Sequence, residues 1–182
     1  MVMCAWLSEE QGSDELLFRF LCKVFDRPTG AFADFADNDI LQMKKLAQKV
    51  SYEGHRMRMF VRFQKASDGT FFAPVAPVHN ALPLSIEYFR DRFADQRWFI
   101  YDTRRHYGYA YDLHQVREVT LDRDDDLVEG KLSDEMMAED EKQFQALWRT
   151  YHKSIAIKER ANPKLQRQFM PRRYWKYLTE MQ

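Results

Sequence analysis

Apolar residues along this chain repeat first at helical spacing and then at strand spacing. Leu16, Leu17, Phe20, Leu21 and Val24 share one broad face, which predicts a helix closed off by Pro28 and Gly30. Before it, residues 1–7 carry no charge and lead into Ser8-Glu9-Glu10, a serine followed by acids that reads as a helix start. A second helix is expected from Asn38 or Asp39, carried by Ile40, Met43, Ala47, Val50, Gly54 and Met57, and packed on the first as a hairpin. From Met59 the period drops to two: Met59, Val61 and Phe63 alternate with Phe60, Arg62 and Gln64, which predicts a strand. Asp68-Gly69 signals a tight hairpin with residues 71–75 as the return strand, expected to lie at a sheet edge or to break early because Pro74 and Pro77 cannot donate to a ladder. Ile86, Phe89 and Phe93 then mark a short helix, and strands are expected at 97–102, 107–111 and 116–121. A last long helix is expected to start near Ser133-Asp134-Glu135, with Met136 or Met137, Phe144, Leu147, Trp148 and Tyr151 as its apolar line and Asn162-Pro163 at its end.

This order predicts an α+β fold: an antiparallel sheet of about five strands with an N-terminal helical hairpin, a crossover helix, and a C-terminal helix plus basic tail. The chain of 182 residues is expected to form a single domain, 1–182. Within it, 1–58 is helical, 59–121 is sheet with an inserted helix, and 122–182 is an acidic linker, a helix and a basic-aromatic tail. Cys4 and Cys22 stand in no paired motif, which suits a reduced, cytoplasmic protein. No leader precedes an apolar core and no apolar run reaches membrane-spanning length, so neither export nor a membrane partner is expected.

Charge changes the picture. The net charge is zero, yet the signs are segregated. From Lys153 to Lys176 eight bases face one acid, Glu159, while residues 122–142 hold ten acids and three bases. Either the two stretches neutralise each other, or they make an acidic and a basic face. In the tail Phe169, Tyr174, Trp175 and Tyr177 lie among the cations, the combination that a polyanion with stacking bases requires. Its simpler alternative is that the rings pack the C-terminus while the arginines reach out from the rim.

Other chemistry is sparse. The five histidines have no zinc-ligand spacing, six glycines leave no phosphate loop, and no serine or cysteine sits in a nucleophile motif, so no metal and no cofactor is expected. Three polar clusters remain. Glu53 and His55 adjoin Arg56, Arg58 and Arg62, which form either an anion site or a salt-bridged helix end. His79-Asn80 reads as an acid–base pair or as a turn. Asp102-Thr103-Arg104-Arg105-His106 reads as a phosphate-contacting loop or as a solvated hairpin tip.

The blocks Glu53-Gly54-His55-Arg56, Phe60-Val61-Arg62-Phe63, 77–84 (Pro-Val-His-Asn-Ala-Leu-Pro-Leu), 91–98 (Asp-Arg-Phe-Ala-Asp-Gln-Arg-Trp), 154–163 and 168–178 resemble the bacterial DUF4130 family over nearly the whole chain. Members of that family are labelled as DNA metabolism or DNA repair proteins. They occur beside a radical-SAM protein or fused to a uracil-DNA glycosylase-like domain. They also carry a further N-terminal strand and helix, so a missing N-terminal segment is expected. The resemblance implies a DNA-damage context without a defined reaction.

Three readings follow. The first is a DNA-binding accessory protein that holds phosphates with Lys158, Arg160, Arg167, Arg172 and Arg173, extends the contact through Arg104 and Arg105, and stacks on Tyr174 or Trp175. The second is an enzyme acting on damaged DNA or a nucleotide, with Glu53, His55, His79 or Asn80 in a pocket lined by Arg58 and Arg62. The third is an adaptor for a radical-SAM or glycosylase-like partner.

Overall fold

The computed structural model describes residues 1–27, 30, 34, 36–120, 127–128 and 131–182, which fall into two compact units. The first comprises Met1–Met59 and Pro77–Glu87, and the second Phe60–Ala76 and Tyr88–Gln182. The fold is α+β, with one five-stranded sheet among the described residues.

The first unit is helical. Helix α1 (Val2–Trp6) is closed when Ser8 Oγ donates to the Ala5 carbonyl at 2.6 Å. Ser8 therefore ends a helix, and the helix start expected there is displaced. Gly12, at φ 80°, takes the N-cap position of α2 (Ser13–Asp26), whose first turn holds Asp14 and Glu15. Ala5, Leu16, Phe20, Ile40, Met43 and Leu46 form one buried cluster, so α1, α2 and α3 (Asn38–Phe60) share a core.

Helix α3 runs further than expected. Residues 59 and 60 continue it, because Val50, Gly54, Met57 and Phe60 keep the 3.6-residue step unbroken. The alternation from Met59 to Gln64 is too short to compete, and only Gln64–Lys65 is strand, β1. The four-residue turn Leu82–Ser85 meets α3 at Gly54. A Cβ there would lie 3.3 Å from Leu84 Cβ, and Ser85 Oγ donates to the Gly54 carbonyl at 2.8 Å.

The second unit holds the sheet, in the order β1, β2 (Phe71–Val75), β3 (Trp98–Asp102), β4 (Tyr107–Tyr111) and β5 (Val116–Thr120). Gly69, at φ 83°, makes the β1–β2 turn, with the Asp68 carboxylate accepting from Thr70 N. Three of the four pairings are antiparallel, as expected; β2 and β3 are parallel. The sheet is thus mixed, because the connection between these strands contains the Leu82–Ser85 turn and α4 (Ile86–Arg92), enough chain for a crossover. Pro74 is accommodated although β2 is not an edge strand, since β1 pairs only with Phe71 and Phe72. Gly108 is required where β4 pairs with β3 opposite Tyr101: a Cβ would overlap the Ile100 carbonyl oxygen and lie 2.7 Å from the Phe99 ring.

The last long helix, α5, is Glu141–Ile155 and does not start at Ser133. Residues 133–138 are recruited by the hairpin instead: Ser67 N donates to the Met136 carbonyl, Ala138 N to that of Lys65, and Ala66 bridges Met137. A short ribbon, β6 (Leu127–Val128) with β7 (Lys131–Leu132), precedes them. After α5 come a turn at Lys158–Arg160, α6 (Pro163–Phe169) with the Asn162 side chain capping Leu165 N, and 3₁₀ turns at Arg172–Tyr177 and Thr179–Met181. Asn162-Pro163 thus starts α6, and α5 has already ended at Ile155.

Candidate nucleic-acid interface

In the helical unit the expected acid–base set does not form one site. Glu53 is 2% exposed; its Oε1 accepts from Val78 N at 2.9 Å and its Oε2 lies 3.5 Å from Arg56. This carboxylate fastens the 77–87 segment to α3. His55, two positions on, is exposed, because a two-residue step turns a helical side chain to another side. His79 is buried with Nδ1 against the Ser8 carbonyl at 2.9 Å, and its Nε2 lies 3.9 Å from Glu10. Asn80 donates its backbone N–H to Leu7 and lies in a shallow pocket with Glu9, Glu10 and Asp14. Arg58 Nη2 donates to the Leu84 carbonyl, so two of the expected anion-binding guanidinium groups, Arg56 and Arg58, have partners within this unit. Among the described residues no group of three or more His, Cys, Asp or Glu is placed to hold a metal ion.

The sheet unit holds a different arrangement. A groove of about 850 Å³ opens beside α5, with Phe63, Phe71, Phe93, Phe144 and Trp148 in its lining. Its wall is tied by charged groups. Arg62 forks onto Glu180, with Nη2 to Oε1 at 2.7 Å and Nε to Oε2 at 3.3 Å, and Trp148 Nε1 donates to the same carboxylate at 3.0 Å. Burial pushes the Glu180 carboxyl up, but the hydrogen bonds from Arg62 and Trp148 outweigh it and hold the group below its ordinary range. Arg62, expected to bind an anion, is therefore satisfied internally. Lys65 Nζ reaches Asp140 at 3.0 Å, while its N–H and Gln145 Nε2 both donate to the buried Glu141. Arg92, also in the lining, is exposed and has no carboxylate partner among the described residues.

The groove rings and Glu180 are what the sequence reading missed as site residues. Phe144, Trp148 and Tyr151 are visible in the sequence at steps of four and three, but only as the apolar line of a helix. Glu180 is the last acid of the chain, and its position opposite Arg62, 118 residues away, leaves no trace in a local pattern.

The basic segment divides in two. Lys158, Arg160 and Arg167 are exposed, as are Arg172 and Arg173 in the Arg172–Tyr177 turn. Lys158, Arg160, Arg167 and Arg172 make no ion pair among the described residues. Of the acidic stretch, Asp134 pairs with Lys142 and Asp140 with Lys65; Asp122, Asp124, Asp125, Asp126 and Glu129 lie outside the described residues. The expected stacking rings are placed otherwise. Tyr174 is 5% exposed and packs on Phe60 with ring centroids 5.1 Å apart, so it belongs to the core. Trp175 is half-buried, with Nε1 donating to the Met170 carbonyl and the Arg172 guanidinium 5.7 Å from its ring.

The 102–106 turn is built around Asp102, which is fully buried and accepts from Arg104 N, Arg105 N and Arg105 Nη1. Arg105 is held at 2.9 Å by that carboxylate and serves the turn, whereas Arg104 is exposed. Nearby, burial first, then the neighbouring Tyr109 and Asp102, push the Tyr107 phenol far above its ordinary value.

Fold and site together define a mixed α+β protein with an aromatic-lined groove and an exposed cationic C-terminal segment, and among its described residues no helix is long and apolar enough to cross a membrane. The chain belongs to the DUF4130 family, a domain of unknown function, which matches residues 11–180. No curated protein and no solved structure matches it.

Proposed function

We propose that this protein binds DNA as an accessory factor in repair or modification, with Lys158, Arg160, Arg167 and Arg172 on the phosphate backbone. The observation that carries the reading is that these four cations are exposed and, among the described residues, have no carboxylate partner. Cations held inside ion pairs have little to offer a phosphate, whereas unpaired ones release counterions from DNA when they bind. Arg104 and Arg173, both exposed, extend the contact. Arg105, Tyr174 and the buried part of Trp175 support the fold behind it. The cytoplasm suits such a protein, whose Cys4 and Cys22 are free thiols.

The enzymatic alternative has less behind it. Glu53 and His79 are committed to backbone partners, His55 is exposed on another side of α3, and Arg62 serves the groove of the other unit.

Titration of a fluorescently labelled oligonucleotide at increasing salt tests the proposal. The contacts of Lys158, Arg160, Arg167 and Arg172 by themselves contribute a log–log slope of about −3 to −4. The triple variant K158E/R160E/R167E is expected to remove most of the slope and the affinity. Absence of binding by the unaltered protein at low salt overturns the proposal.

A further inference from the structure

The exposed rings of α5 and the groove beside them invite a more specific assignment, which rests on the DNA-binding reading above. We propose that this groove receives unstacked bases of single-stranded DNA, with Phe144 and Trp148 as stacking faces and Arg92 as the phosphate contact at the rim.

Exposure is the first argument. Phe144 is 58% exposed, Trp148 41% and Tyr151 54%, all on one side of a helix in which only Glu141 is buried. Trp148 and Tyr151 stand 5.8 Å apart at an interplanar angle of 34°, and the helix from Phe144 to Tyr151 spans about 10 Å. Large rings left in water along a helix mark a surface that something flat or apolar covers.

Rigidity is the second. The Trp148 indole N–H is anchored to Glu180, which Arg62 grips in turn. The ring is thus oriented in advance while its face stays accessible, so little side-chain freedom is left to lose on binding. Phe93 and Phe63, with centroids 5.1 Å apart and nearly perpendicular, continue the aromatic lining across the groove. The groove volume of about 850 Å³ lies within the range that holds small organic groups.

Charge selects the occupant. The charged residues in the lining are Arg62, Lys65, Arg92, Asp140 and Glu141; Arg62 is held by Glu180, Lys65 by Asp140, and Glu141 accepts from Lys65 N and Gln145, which leaves Arg92 as the lining cation with no carboxylate partner among the described residues. A hydrophobic helix of a partner protein would suit the rings but leave the Arg92 charge unanswered. A strand of nucleic acid offers π-faces and a phosphate for each base. The bases of an intact duplex are stacked and paired, and cannot enter a groove walled by Phe63 and Phe93, so the assignment requires a single strand.

The test compares a labelled oligo-dT with a duplex of the same length, using the full chain and its Phe144→Ala and Arg92→Gln variants. Both substitutions fall on exposed side chains, and circular dichroism checks the fold. The single strand is expected to bind at least about tenfold more tightly than the duplex, and Phe144→Ala to weaken it by roughly 5- to 100-fold while changing duplex binding less than twofold. Oligo-dT should also quench the emission that disappears in Trp148→Phe. If K158E/R160E/R167E lowers affinity but Phe144→Ala and Trp148 emission are indifferent to the single strand, the groove assignment fails and the backbone reading stands. Failure of the unaltered protein to bind either DNA at low salt overturns both. If Phe144→Ala abolishes self-association seen by ultracentrifugation and leaves oligo-dT affinity intact, the face is a protein-docking surface and the assignment is overturned.

Discussion

Helix α5 and the Arg172–Tyr177 turn carry similar residues and use them in opposite ways. Each sets aromatic rings among cations. In the turn, Tyr174 and Tyr177 are buried, with Arg173 and Lys176 lying over their rings at 4.7 Å from each centroid. In α5, Phe144, Leu147, Tyr151 and Ile155 are all more than half exposed. A basic-aromatic run is therefore no guide by itself to a binding surface. Whether its rings have an internal partner decides, and Tyr174 has one in Phe60. The turn clasps the C-terminus to its unit, and its charges reach solvent because the rings do not.

The largest effect that follows is on stability. Tyr174→Ala removes a buried ring from between Phe60 and Arg173, and is expected to cost about 3–5 kcal/mol in urea unfolding. A cost no greater than that of an exposed substitution would erase the contrast with α5. Next comes the fastening of Trp148. Glu180→Gln keeps an acceptor but deletes the charge that Arg62 grips, so we expect a loss of about 1–3 kcal/mol and an altered Trp148 emission.

The same pair gives a pH dependence. The folded Glu180 carboxyl is held below its ordinary value of 4.5, so it contributes stability that is present above that value and fades as pH falls through the lower folded one. Acid titration of Trp148 emission, taken as the difference from Trp148→Phe, should show a step below pH 4.5 that Glu180→Gln abolishes. A step that survives in that variant would assign the change to another group.

These contrasts explain how far the sequence could be read. Periodicity located α2, α3, the Asp68-Gly69 hairpin and the strands from Trp98 to Thr120, because each is dictated by local spacing and turn chemistry. It failed where distant partners intervene. Residues 133–138 look like a capped helix start, but pairing with the β1–β2 hairpin overrides the cap. The parallel β2–β3 pair follows from a crossover whose return direction no local pattern states. Among the candidate site residues, exposure of Lys158, Arg160, Arg167 and Arg172 was legible in their charge. The capture of Arg62 by Glu180, of Glu53 by Val78 and of Arg105 by Asp102 was not, since each depends on burial. The apolar stripe of α5 was legible as a stripe; that Phe144, Trp148 and Tyr151 keep 41–58% of their surface in solvent was not.

The smallest effect is the most discriminating. Phe144→Ala deletes a ring that is 58% exposed on α5 and replaces phenylalanine by the best helix former. The lost contact with the groove wall and the gained helix propensity act in opposite directions, so the net change in unfolding free energy should fall within about 0.5 kcal/mol. A substitution that leaves the fold untouched isolates what the ring does for binding. Should it instead cost as much as Tyr174→Ala, the ring would be part of the core after all. The groove beside α5 would then be an internal seam of the sheet unit, with no free stacking face to offer a strand.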